Sequence, residues 1–224
     1  MSFGDSKEIV TNQPGIHENL TEIVNKHLSH SFQKPISEHT RQAFAKINER
    51  VKAFAGPIIL DSCCGVGQST RILAKNNPDA LVIGVDKSDN RLTRNVEDKW
   101  QATNFELIRA DLNDFYRLVV EAKWAVKKHY ILYPNPWPKA KHIGRRWHGS
   151  PVFPFIIQVG ETIELRSNWP IYLQEFQAAM KIAGLESNLQ LIANDEPITP
   201  FEAKYKASGQ KCWSLCANLV SEGL

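Results

Sequence analysis

The sequence predicts an α/β fold, a mostly parallel seven-stranded sheet with helices on both faces. Two observations predict it. From Ile58 onward, short and nearly continuous apolar runs alternate with stretches of helical period. Such alternation marks successive βα units, whose right-handed crossovers lay helices on both sides of the sheet. A glycine-containing turn follows the first apolar run, and acidic residues close the first three, which gathers polar chemistry at the strand ends where open α/β sheets bind ligands.

Taken in order, residues 1–35 are polar, with punctuation at Pro14-Gly15 and Pro35, and are expected to form a mobile arm with one short helix around Leu20 to Leu28. Residues 36–224 are expected as a single domain. Ser37 to Phe54 reads as a helix, with Ser37 as N-cap and Ala43, Phe44, Ile47, Val51 and Phe54 on one face. Ile58 to Leu60 is then a strand, Gln68 to Asn76 a helix, Leu81 to Val85 a strand and Asn90 to Gln101 a helix. Phe105 to Ile108 follows as a strand, Asp114 to Ala122 as a helix and His129 to Tyr133 as the fourth strand. Pro151 and Pro154 would shorten or break any helix between Arg146 and Thr162. Beyond them come a strand at Thr162 to Leu165, a helix from Pro170 to Ala183 ended by Gly184, and strands at Leu189 to Ala193 and Cys212 to Leu219. The intervening Glu196 to Lys211 is expected to be a long polar loop, and long loops in compact domains are commonly functional or disordered.

A chain of 224 residues with 42% hydrophobic and 23% charged residues suits one medium globular domain. It has no 18-residue apolar run, and the polar stretch from Met1 to Gly15 resembles no signal peptide, so a soluble cytoplasmic protein without a membrane partner is expected. The four cysteines form no CxxC pair and have few histidines nearby, which argues against a metal site or a disulfide framework. The net charge of +3 hides an asymmetry: Ala122 to Gly160 contains seven Lys or Arg and no Asp or Glu, so the rest of the chain stands at −4. A basic island on a slightly acidic body is the footprint of a partner rich in phosphate.

The first turn reads Asp61-Ser-Cys-Cys-Gly65-Val-Gly67-Gln-Ser-Thr70. A dinucleotide site would want G-x-G-x-x-G to cradle a pyrophosphate, and here the third glycine position is Thr70, which argues against NAD. About 20 residues on, Asp86 ends the second strand, where a carboxylate accepts hydrogen bonds from a ribose diol. Asp111 ends the third, where it could accept from an adenine amino group. Acids at three strand tips without a phosphate cradle fit an adenosyl ligand carrying a cationic sulfonium. After the fourth strand, Pro134, Pro136 and Pro138 stiffen a loop that carries Trp137 and then Lys139, Lys141, His142, Arg145 and Arg146, a preorganised cationic rim at the sheet edge.

The first turn resembles the D/E-x-G-x-G-x-G motif of class I S-adenosylmethionine-dependent methyltransferases, with their Rossmann-like fold. The run from Tyr133 to Arg146 resembles the F-P-D-P-W-P-K-x-x-H-x-K-R-R signature of the tRNA (guanine-N7)-methyltransferase family, the TrmB-like type. Tyr133, Pro134, Pro136, Trp137, Pro138, Lys139, His142, Arg145 and Arg146 match in kind and spacing. Arg166 to Tyr172 is similar to the family's T-D-x-x-x-Y segment, and Thr199-Pro-Phe-Glu202-Ala-Lys204 to its T-x-F-E-x-R/K segment, with Gly209 and Trp213 beyond. The resemblance runs from about Ile58 to Leu219. It implies methyl transfer from S-adenosylmethionine to N7 of a guanine in the variable loop of tRNA, with no metal. By the resemblance, Asp61, Cys63, Gly65, Gly67, Asp86, Lys87, Asp111, Leu112 and Asn135 would hold the cofactor. Trp137, Lys139, Lys141, His142, Arg145 and Arg146 would meet the tRNA. Asn135, Asn168, Thr199 and Glu202 would stand nearest the reacting base. Whether the protein is a monomer or a homodimer stays open.

Three positions depart from the family pattern. Cys63 stands where the motif has its first glycine, and Asn135 and Asn168 stand where the family has acids. A carboxylate can accept from guanine N1–H and N2–H₂ together and offset the cation that methylation creates, whereas an amide offers one acceptor and no charge. Two alternatives follow: a methyltransferase of the same fold acting on another nucleobase or a small molecule, or a catalytically impaired homologue that binds tRNA or cofactor.

Overall fold

The computed structural model describes residues 6–94, 101–193 and 196–220. One seven-stranded sheet organises them, with strand order β3-β2-β1-β4-β5-β7-β6. Its strands are β1 (Ile58–Ser62), β2 (Leu81–Asp86), β3 (Phe105–Arg109), β4 (Val126–Leu132), β5 (Thr162–Ser167), β6 (Asn188–Leu191) and β7 (Trp213–Asn218). The first five run parallel and β7 antiparallel to both its neighbours, so the predicted mostly parallel seven-stranded architecture is the one present. The helices are α1 (Leu20–Ser29), α2 (Glu38–Ala53), α3 (Gln68–Asn76), α4 (Asp89–Leu92), α5 (Leu112–Glu121), α6 (Phe153–Ile156), α7 (Pro170–Ile182) and α8 (Pro200–Ala207).

β1 and β2 are buried on both faces because helices cover both. Every residue of β1 and β2 is buried, and one core gathers Leu60, Ile83, Phe115, Ile131, Leu165 and Phe176 from strands and helices alike. Phe44 of α2 stacks on Trp124 at 5.0 Å and meets the edge of Phe115 at 5.4 Å, which fastens α2 across α5. Chain order reverses between β1 and its neighbours β2 and β4, and that switch point opens a crevice beyond the strand C-termini.

Several elements differ from the sequence expectation. β1 continues through Asp61 and Ser62, which places Asp61 inside a strand buried on both sides rather than at its tip. β4 ends at Leu132, because Tyr133 turns into the left-handed region at φ 51°. Of the helix expected over Asn90 to Gln101, only the start is present: α4 ends at Leu92, Thr93, Arg94 and Gln101 are not helical, and residues 95–100 lie outside the described residues. The expected loop over Glu196 to Lys211 contains α8, which starts with Pro200 and has Thr199 as N-cap, accepting from the Glu202 backbone N–H at 2.9 Å. Thr199-Pro-Phe-Glu202 is thus a helix start.

The segment expected to be a mobile arm is docked instead. Thr11 donates to the carbonyl of Pro138 at 2.6 Å, Asn12 accepts from Ala140 N–H at 3.0 Å, and Gln210 donates to the carbonyl of Ser6 at 2.7 Å. Leu20 and Val24 enter the main core. The segment's polarity conceals this because the partners in these three bonds lie more than 120 positions away. Among the described residues, no helix is long and apolar enough to cross a membrane.

Candidate functional site

A cleft of about 450 Å³ opens at the strand C-termini between the tips of β2 and β3, the proline loop and α8. A larger depression, about 730 Å³, lies at the opposite end of β5, beside Thr162, Ser187 and Asn218. It contains none of the strand-tip acids, so the smaller cleft is the candidate site.

On one side of the cleft the chain sets two carboxylates. Asp86 ends β2 with both oxygens held by backbone: Oδ2 accepts from Gly65 N–H at 3.0 Å and Oδ1 from Ser88 N–H at 2.8 Å. Asp111 caps α5, accepting from Asn113 N–H at 3.0 Å, and Lys87 Nζ stands 3.4 Å from its other oxygen. Burial opposes the charge on Asp111, but the Asn113 hydrogen bonds and the Lys87 ammonium outweigh it and hold the carboxyl below its ordinary range. Leu112, Pro134 and Trp147 supply apolar walls, and Arg91 stands 3.7 Å from Asp86. Two fixed acids beside an apolar slot match a nucleoside whose sugar and base offer donors and whose sulfur carries positive charge. The residues present fit S-adenosylmethionine.

Beneath the cleft, the turn after β1 runs through Cys63, Gly65 and Gly67, all at positive φ. Gly67 opens α3, and a Cβ there would come within 2.7 Å of Leu107. Cys63 lines the cleft at φ 62°, a conformation that costs an L-residue roughly 1–2 kcal/mol. Burial, then the charges of Asp86 and Asp61, push its thiol up to about 12, so it stays protonated. Cys63→Gly is expected to stabilise the fold in urea denaturation by about 0.5–1 kcal/mol, because the relieved strain exceeds the added freedom of the unfolded chain. A lower midpoint would show that the thiol's packing outweighs the strain.

Asp61, expected to meet the cofactor, does not reach the cleft. It is fully buried, and its Oδ2 accepts from Ser69 at 2.6 Å and Thr70 at 2.7 Å, which ties β1 to the first turn of α3. Burial raises it to about 6 in spite of those two hydrogen bonds. Its Oδ1 has no hydrogen-bond partner among the described residues, while its Oδ2 braces the glycine turn. Gly65 shares that indirect role through its N–H to Asp86.

On the other side stands the proline loop. Asn135 is exposed, lines the cleft, and accepts from Trp137 N–H at 3.3 Å. Trp137 does not line the cleft; it carries the Arg145 guanidinium over its ring at 4.7 Å and the His142 edge at 5.6 Å, while Trp147 forms the wall. Lys139, Lys141 and Arg145 are exposed and in no ion pair among the described residues. Desolvation and the surrounding cations lower His142.

Arg146, expected on the phosphate rim, is fully buried. It pairs with Glu175 and donates to the carbonyls of Trp137 and Lys139 at 3.0 and 3.3 Å. Asn168 sits outside the cleft too: its amide donates to Gln210 at 2.8 Å in a separate depression beside Trp169 and Trp213. Thr199 and Glu202 are buried, the first as helix cap and the second paired with Arg166 and Lys206, so neither lines the cleft. The α8 residues that do line it are Phe201 and Tyr205, which, with Arg91 and Trp147, carry no sequence expectation; Tyr133, expected only as the start of the loop signature, lines it as well. The available signal was the spacing of Phe201 and Tyr205, four apart and therefore on one helix face.

Among known proteins, residues 55–215 match the family Methyltransf_4, described as "Putative methyltransferase". A tRNA (guanine-N(7)-)-methyltransferase of Lysinibacillus sphaericus is 26% identical over 182 residues, covering 74% of this chain and 82% of that protein. One from Mycobacterium avium is 35% identical over 94 residues, 41% of this chain and 36% of that protein. The solved 16S rRNA (adenine(1408)-N(1))-methyltransferase of Catenulisporales acidiphilia superposes with a TM-score of 0.56 at 17% identity, covering 79% of this chain and 92% of that one, a likeness of fold.

Proposed function

Because the chain belongs to the Methyltransf_4 family of methyltransferases, we propose that it methylates N7 of a guanine in the variable loop of tRNA, in the cytoplasm, with S-adenosylmethionine as donor. The carrying observation is the cleft itself, which Asp86, Asp111 and Asn135 line, with the exposed cations Lys139, Lys141 and Arg145 on the same loop as Asn135. The relatives named for this reaction support the substrate.

When bound, S-adenosylmethionine supplies a methyl group on a positively charged sulfur. Guanine N7 presents an in-plane lone pair and carries no proton, so the protein needs no general base and works by positioning and charge. Asp86 would hold the ribose diol and Asp111 the adenine amino group. Lys139, Lys141 and Arg145 hold phosphates, which makes affinity fall with salt. Arg146 acts one step back by fixing the Trp137 and Lys139 carbonyls of the loop. Between Pro134 and Pro138, Asn135 is the one polar side chain that lines the cleft.

Incubation with labelled S-adenosylmethionine and unmodified tRNA, followed by mapping of the methylated nucleotide, tests the reading. N7-methylguanine supports it. Another base as product, which the amide of Asn135 would suit by bidentate pairing with an adenine edge, overturns the guanine assignment. Asn135→Asp is expected to raise kcat/KM on guanine about tenfold by restoring a charge-assisted hydrogen bond. Asn168→Asp should leave it unchanged, since that amide is engaged by Gln210 away from the cleft. No gain from Asn135→Asp would count against the charge argument.

A further inference from the structure

We propose that Phe201 is the platform on which the acceptor base stacks, a positioning role that rests on the reading of the cleft as a nucleobase methyltransferase site. The cleft has two halves. Asp86 and Asp111 come from β2 and β3, on one flank of the sheet, whereas α8 connects β6 to β7, on the other. A group presented by α8 therefore faces the acceptor half rather than the donor half.

Phe201 is 50% exposed, although it is among the largest apolar side chains of the chain. An aromatic ring left half in water contributes little to the core, and its exposed area becomes useful when a flat partner covers it. The ring is also held in place. Tyr205 lies one helical turn on, near-parallel at 25° with centroids 6.4 Å apart, and Tyr205 in turn packs on Tyr133 at 5.6 Å. The helix beneath is fixed by the Thr199 cap and by the pairing of buried Glu202 with Arg166. Asn135 and Pro136 line the same cleft, so a purine lying on Phe201 would have the Asn135 amide as the polar side chain of the loop available to its edge. Base-aromatic stacking tolerates any base, so Phe201 supplies placement and Asn135 the discrimination.

The test compares Phe201→Ala, Phe201→Leu and Phe201→Trp with the unaltered protein, each saturated with S-adenosylhomocysteine. Saturation-transfer NMR with guanosine 5′-monophosphate as probe reads stacking without turnover. The base H8 signal is expected to persist with Trp and fall severalfold with Ala and Leu, and kcat/KM on tRNA should fall about tenfold for Ala and Leu with rescue by Trp. Calorimetric affinity for S-adenosylhomocysteine should be the same in all four. If Leu matches Phe in both assays, the ring serves only to fill space and the proposal fails. If cofactor affinity falls with the H8 signal, Phe201 belongs to the donor half and the proposal also fails. A protein that keeps the Phe-dependent H8 signal yet yields no N7-methylguanine upholds the platform and overturns the function proposed above.

Discussion

Glu175→Ala is expected to destabilise the fold by about 3–5 kcal/mol in chemical denaturation, because it leaves a buried guanidinium without its counter-charge. Glu175, Arg146 and His148 are all fully buried. Glu175 Oε2 accepts from Arg146 and from His148 at 2.9 Å, and Oε1 accepts from Gln13 and from the His17 N–H at 3.0 Å. Arg146 carries the charge to the proline loop through the Trp137 and Lys139 carbonyls, and its guanidinium lies over Trp169 at 5.0 Å. One carboxylate thus anchors α7, the basic loop and the N-terminal segment together. Replacing both partners, as Arg146→Met with Glu175→Leu, should cost less than either single change, since no lone charge remains. Burial opposes ionisation of Glu175, but His148 and Arg146 outweigh it and hold the carboxyl well below its ordinary range. A carboxylate depressed in the folded state contributes stability above its unfolded value near 4.5 and loses it as pH falls toward the folded one. Denaturation midpoints should therefore decline below about pH 4.5. A loss under about 1 kcal/mol for Glu175→Ala would show that the network is not what secures the loop.

How far the sequence could be read follows from the range of the interactions involved. The βα alternation depends on local periodicity, so β1 to β5 were legible, as were Asp86 and Asp111, which sit where strands end. Arg146 and Arg145 are adjacent and chemically alike, yet one is buried and the other exposed; the difference lies in Glu175, 29 residues away on another element. The same holds for the start of the N-terminal segment, whose composition is polar and whose docking bonds, from Thr11 to Pro138 and from Gln13 to Glu175, close over long separations. Thr199-Pro-Phe-Glu202 shows another limit. Thr199 and Glu202 match a binding motif by residue type, but the cap made by Thr199 and the pairing of Glu202 with Arg166 and Lys206 bury both, while Phe201 between them lines the cleft.

Asp86→Ala is expected to weaken S-adenosylhomocysteine binding by about a hundredfold in calorimetry, while changing the melting temperature by only a few degrees. Two losses combine. The ribose diol loses a charged acceptor, worth about 1.5–3 kcal/mol, and the Gly65 and Ser88 N–H groups lose the oxygens that fix the two turns. Because those turns border the cleft, their release falls on ligand affinity more than on the core, which packs elsewhere around Leu60 and Phe115. Asp86→Asn should fall between, near tenfold, since an amide can still accept through one oxygen but turns a donor toward the other N–H. Asp111→Ala should cost less than Asp86→Ala: its carboxylate stands at the end of α5, beside the exposed Lys87, where solvent can replace part of the interaction. If Asp86→Ala binds like the unaltered protein while Asp111→Ala does not, the ligand lies across the tip of β3 rather than β2, and the order of sugar and base along the cleft must be reversed.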